Sequence, residues 1–282
     1  MRRCALFSTL VLLLAGCGKP AGPVPNPGVV RVAVIGGMTT TGIWQAISAR
    51  FEKATGLKVQ LVITGEREIC ADALRKGQVD LLTMHSGDIT TDLVADGYGI
   101  NMRPWTRNDL VIVGPLSDPA GIRGMKDGAA ALRKIAQTKS PYLDFQGIGS
   151  REMAHNLWKA AGISNPEGDW VLKDESPDKW SALKYAQQKD AYVITGRIPV
   201  KDGKLAADGM EIMVEGDPVM RRPFIVMEAN PNRFPQVNAA GAHALADYLL
   251  APETQAFLET FGTAEYGGIP PFHGVVAPEP TP

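Results

Sequence analysis

A chain of 282 residues with 21% charged, 45% apolar and 7% aromatic side chains has the composition of a folded globular protein, not of a disordered, collagen-like or polytopic membrane chain. That length accommodates two lobes with separate cores. With 29 basic against 30 acidic residues the formal charge is −1, so no overall positive field draws in nucleic acid or an anionic bilayer, and any anion must be caught by a local site.

Arg2 and Arg3 precede an apolar run from Leu6 to Ala15, the layout of a secretory signal and too short for a spanning helix. Leu14-Ala15-Gly16-Cys17, just past that run, resembles the bacterial lipobox. The resemblance implies cleavage before Cys17 and acylation of that cysteine, which becomes the membrane contact. Two or three acyl chains, at about 0.8 kcal/mol per buried CH₂, hold a protein firmly where one is marginal. Gly18, where an Asp would signal retention, is what the resemblance associates with outer-membrane sorting. The chain is thus expected to cross the cytoplasmic membrane and to sit in the periplasm or at the cell surface. Cys4 leaves with the signal and Cys17 carries lipid, so Cys70 stands alone and no intrachain disulfide is expected. The 266 remaining residues carry a net −3. Residues 18–28, GKPAGPVPNPG, read as an extended tether, and the tail APEPTP is similarly poor in core-forming residues.

From Val29 the pattern alternates strand and helix. VVRVAVI (Val29 to Ile35) ends at Gly36-Gly37, and a helix from Ile43 to Gly56 sets Ile43, Ile47 and Phe51 on one stripe. A strand from Lys58 to Thr64, a helix from Glu66 to Lys76 and a strand from Val79 to Met84 follow. Helices between strands favour a parallel sheet with right-handed crossovers. A second series runs from Asp109 to Val214: strands at 109–115, 142–145, 191–195 and 211–214, with helices at 127–137, 151–161 and 180–188. A strand at 223–231 and helices at 237–250 and 253–261 close the pattern. The expected organisation is a signal (1–16), a tether (17–28), lobe 1 (29–108 and 223–275), lobe 2 (109–222) and a tail (276–282), with two crossings as the hinge.

TTTG (Thr39 to Gly42) stands between the first strand and first helix, where unpaired N–H groups and threonine hydroxyls can hold an anion; the same threonines serve equally as plain helix caps. A counterpart is GIGSR (Gly147 to Arg151), with glycines for close approach, the Ser150 hydroxyl and the Arg151 charge. Two such helix starts facing across a cleft would enclose one small oxyanion.

The chain resembles a type II periplasmic solute-binding protein of the tungstate-binding ABC-transporter branch over about Val30 to Gly262. The likeness is carried by TTTG, GQVDLLTMH (Gly77 to His85), GYGINMRP (Gly97 to Pro104), NDLVIVGPLSDPAGI (Asn108 to Ile122), LWKAAGI (Leu157 to Ile163) and AYVITGR (Ala191 to Arg197). It implies two α/β lobes closing over a small anionic solute, delivery to a membrane permease, no cofactor and a monomer. Together with the residues' own chemistry, it gives the expected ligand-binding set Thr39, Thr40, Thr41, Arg67, His85, Arg107, Asn108, Gly149, Ser150, Arg151, Thr195 and Arg197. Departures are substantial. Gly42 replaces a Ser of the family's TTTS; Glu66-Arg67-Glu68 replaces a GTG turn; DFQGIGS (Asp144 to Ser150) stands for RGDDSGT, so an Arg becomes Asp144. Arg107-Asn108-Asp109 replaces YND, and TGRIP (Thr195 to Pro199) replaces TDRGT. Arg67, Arg107 and Arg151 are the candidates to restore the lost charge.

Other readings remain open at this level. Glu66, Glu68 and His85 suggest a divalent cation or a metal chelate, although acids also suit a helix start. Trp105 and Trp180 suit a small organic anion. A sensor or scaffold without transport fits the rewritten cleft. An enzyme is disfavoured: Ser150 and His155 share one helix with no orienting acid, and neither GxSxG nor HExxH occurs.

Overall fold

The computed structural model describes residues 27–275 except residue 148, so the signal, Cys17, nearly all of the tether and the 276–282 tail lie outside the described residues. The first half-sheet grows from β1 (Val29–Ile35), whose β-branched run ends at glycines and leads into the one-turn helix α1 (Gly36–Thr40). Helix α2 (Ile43–Thr55) opens on Gly42 at φ 78° and closes on Gly56 at φ 77°, burying Ile43, Ile47 and Phe51 on one face. Then come β2 (Lys58–Gly65), α3 (Arg67–Arg75), β3 (Leu81–His85) and α4 (Asp88–Ala95).

The 17-residue β4 (Gly99–Pro115) is longer than the strand expected at 109–115, and it belongs to both halves of the molecule. Its first part pairs antiparallel with β9 (Arg221–Ala229), and its last part with β7 (Tyr192–Gly196) and β8 (Met210–Val214). Register shifts after Ile100 and Pro104 accommodate a stretch that lacks clean alternation, which is why sequence patterning missed it. The remaining elements between β4 and β9 are α5 (Gly128–Thr138), capped by Asp127, β5 (Tyr142–Asp144), α6 (Ser150–Ala160), β6 (Val171–Lys173), α7 (Ala182–Gln188) and α8 (Arg197–Lys201). The chain ends with α9 (Ala239–Leu250), α10 (Pro252–Leu258) and the short β10 (His273–Gly274) against β4.

The strand order is β2-β1-β3-β9-β4-β7-β5-β6. The expected parallel pairing holds for β1 with β2 and β3, and for β5 with β6 and β7. It fails at β9, which returns from lobe 2 and therefore runs against both β3 and β4. One core cluster packs around β1, β3 and β9; along β4, Leu110 and Ile112 enter a second cluster while Val111 and Val113 enter a third on the opposite face.

Asp80, just before β3, pins two other elements together. Its buried carboxylate accepts from Arg31 N (2.7 Å), Arg31 Nη2 (2.6 Å) and Asn238 N (2.9 Å), joining β1 to the start of α9. Removing it strands these donors, so Asp80→Ala is expected to lower unfolding free energy by about 3 kcal/mol. Urea denaturation checks this, and a loss below about 1 kcal/mol contradicts the pinning role.

Candidate functional site

Between the two half-sheets lies a cleft of about 1500 Å³, lined by residues of both. The parallel strands end at it, and helices that follow them begin there, the usual place for a ligand in an open α/β sheet. Glu66 and Arg67 start α3, Gly87 caps α4, and Gly149 caps α6, all on the cleft wall. The N–H groups of these first turns carry partial positive charge.

Charge in the cleft is layered. The lining carboxylates Glu66, Glu68, Asp88, Asp144, Glu152 and Asp202 are all exposed, as are Arg151 and Lys204. The lining ionised side chains drawn away from water are cations: half-buried Arg67 and Lys179 and buried Arg222. Lys179 pairs with Glu66 across the mouth. Arg67, at the first position of α3, makes no hydrogen bond or ion pair to the described residues and faces the other cation, Arg222. Loss of water and then the positive charge of Arg67 push the Arg222 pKa down to about 9, which leaves the guanidinium charged at neutral pH. Half-buried His85 lies beside them, its ring 4.7 Å from that of Phe224 and its Nδ1 enclosed without a hydrogen-bond partner among the described residues. Burial, followed by the charges of Arg222 and Arg67, holds its pKa well below the usual imidazole range, so it is neutral.

Of the residues expected at the site, Thr40, Arg67, His85, Asn108, Gly149 and Arg151 line the cleft. The others do not, and Thr40 reaches it from an unexpected element. Thr39, Thr40 and Thr41 lie in α1 and its C-terminal cap, not at the start of α2, and their hydroxyls donate to Gly36 O, Gly37 O and, for Thr41, also Met38 O. Ser150 is fully buried, donating to Phe145 O (2.6 Å) and Gly147 O (2.8 Å), so its hydroxyl braces the loop. Arg107 is exposed on β4, outside the cleft lining. Thr195 is buried in β7, and Arg197 is held by Glu215 and the carbonyls of Tyr266 and Ile269, tying α8 to the C-terminal segment. Trp105 is core, donating to Thr83 Oγ1, whereas Trp180 is exposed at the cleft. Sequence reasoning missed Arg222; its alternation with Phe224 and Val226 along β9 is the signal that put it on a buried face.

A family profile described as "Bacterial extracellular solute-binding protein" matches residues 30–264. The chain belongs to this family. It is 30% identical to a putative ABC transporter anion-binding protein of Haloferax volcanii over 78% of its own length, spanning 65% of that relative. It is 29% identical to the tungstate-binding protein TupA of Peptoclostridium acidaminophilum, over 95% of this chain and 96% of that one. Among solved structures it resembles the tungstate-binding protein TupA of Desulfovibrio alaskensis G20, with TM-score 0.71, 26% identity and coverage of 87% of this chain and 98% of that one. The solute-binding protein thus has the two-lobed type II periplasmic-binding-protein fold. Its family is extracytoplasmic, and among the described residues no helix is long and apolar enough to cross a membrane.

The depressed His85 pKa has a consequence for stability. Above about pH 6.5 the imidazole is neutral in both folded and unfolded chains. Below it the unfolded chain takes up the proton first, so stability falls as pH drops from about 6.5 towards the lower folded value. His85→Gln is expected to flatten this dependence by up to about 1.4 kcal/mol per pH unit in urea unfolding across that window. Parallel profiles for the two proteins would contradict a neutral His85.

Proposed function

We propose that this solute-binding protein is the lipid-anchored receptor of an ABC-type importer, capturing a small tungstate- or molybdate-like oxyanion between its lobes and presenting it to a membrane permease as a monomer. The reading takes lobe 1 as 29–108 with 223–275 and lobe 2 as 109–222. Its carrying observation is the charge layering: exposed carboxylates at the rim over a floor holding Arg67, Arg222 and the neutral His85. Two enclosed cations repel each other until an anion sits between them. The printed names of the relatives support the same ligand class.

A divalent cation finds no comparable support. Glu66 is paired with Lys179, Glu68 lies 3.8 Å from Arg75, and His85 faces two guanidinium groups; no cluster of three or more potential ligands exists among the described residues. A small organic anion is the second reading, favoured by exposed Trp180 and by a cleft larger than a bare oxyanion fills.

Calorimetric titration of the purified protein with tungstate, molybdate, sulfate and phosphate tests the reading, with tungstate or molybdate expected to bind most tightly. Heat absent for all four sinks the oxyanion proposal. Arg67→Ala is expected to weaken binding about tenfold, the scale of one charge-assisted hydrogen bond. For the anchor, Cys17→Ser is expected to release the protein from membranes and abolish incorporation of labelled palmitate; retention of both counts against lipidation.

A further inference from the structure

Arg222 stands on β9 where the chain re-enters lobe 1, opposite Asn108 on β4 where it leaves. Its Nη2 donates to Asn108 Oδ1 at 3.3 Å, and its guanidinium lies 5.6 Å from the Phe224 ring centre. On the other side it packs against the cap of α6. Gly149 there has φ 68°, and a Cβ at that position would stand 1.8 Å from Arg222 Nη1. Gly149 is therefore a glycine for two reasons, a left-handed backbone and the room it leaves for this guanidinium. One cation touches both crossing strands and the first turn of a lobe 2 helix.

A ligand shifts a conformational equilibrium only through contacts that differ between states. If the lobes part, α6 moves away from β9, and an anion on Arg222 loses the N–H groups of the α6 first turn. With the lobes together it has both. We propose that Arg222 is the anion-gripping residue of this cleft and that, through Asn108 and Gly149, it couples ligand binding to closure of the lobes. This rests on the reading of the cleft as an anion site. The planar fork of arginine suits the role, since it can face a tetrahedral oxyanion with two donors while others hold the protein.

The test titrates wild-type, Arg222→Gln, Arg67→Ala and Gly149→Ala proteins with tungstate, molybdate, sulfate and phosphate, and records small-angle scattering without and with saturating anion. Arg222→Gln is expected to bind about a hundredfold more weakly, the effect of truncating one partner of a buried charged contact. Its melting temperature without anion is recorded alongside, to separate lost binding from lost stability. Wild-type and Arg67→Ala proteins should compact on saturation, and Arg222→Gln should not. Gly149→Ala, whose methyl displaces the guanidinium, should lose at least about tenfold. Should that variant fail to fold, Arg222→Gln, which leaves the backbone alone, decides. Wild-type affinity retained in Arg222→Gln, or undiminished compaction, overturns the proposal; so does a lowered melting temperature with intact binding, which would mark a mere brace. Absence of binding by the wild type to all four anions removes the anion reading itself and this inference with it.

Discussion

Burial of positive charge where two strands cross between lobes is the constraint around which this molecule is arranged. β4 and β9 run antiparallel through that junction, and strand geometry sends neighbouring side chains to opposite faces. The pair Asp109 and Arg221 points one way, meeting the buried His273, which itself lies between Asp109 (3.1 Å) and Glu259 (3.2 Å). The next pair, Asn108 and Arg222, points the other way, into the cleft. Two adjacent arginines therefore do different work. Arg221 meets the Asp109 carboxylate, which also holds β10 through His273, whereas Arg222 donates to the Asn108 amide and lines the cleft.

This division explains why the rim carboxylates do not make the cleft an acidic site. An exposed carboxylate is screened by water and salt within about 10 Å, while a cation in an enclosed floor acts in a medium where charge is felt far more strongly. Depth, not the count of charges, sets the sign that a ligand meets. The neutral state of His85 follows first from its burial, which disfavours the charged imidazole, and then from the charges of Arg222 and Arg67 beside it.

Much of the fold was legible because it rests on local rules. The β-branched run of β1, the stripe of Ile43, Ile47 and Phe51, and the left-handed Gly56 announce strand, helix and stop without tertiary information. The first part of β4 and the short helices α1 and α8 were not legible, since bulges and one-turn helices carry little periodicity. The cleft was legible in outline, because helix starts after parallel strands gather at one edge. It was not legible residue by residue. Whether a hydroxyl such as Ser150 reaches the cleft or satisfies a carbonyl in its own loop depends on hydrogen-bond accounting that only the folded chain settles. Arg197 likewise looks like a ligand contact in sequence, yet its guanidinium is engaged by Glu215 and two carbonyls.

On the proposed reading of the cleft as an anion site, the loop from Asp144 to Ser150 gives up one charge and another element supplies it. The family resemblance calls for an arginine in that loop, and the sequence offers Asp144, which the structure leaves exposed at the rim. A guanidinium nonetheless reaches the loop, because Arg222 packs against Gly149 from the opposite strand. What an anion requires is charge and donors at a point in space, and nothing in that requirement names the element that supplies them. Supplying the charge from β9 does alter the mechanics. On the proposed reading, a cation on a lobe 2 loop would travel with the lobe, whereas one on the crossing strand sits close to the pivot, so the ligand's first contact would stay nearly fixed while α6 closed on it.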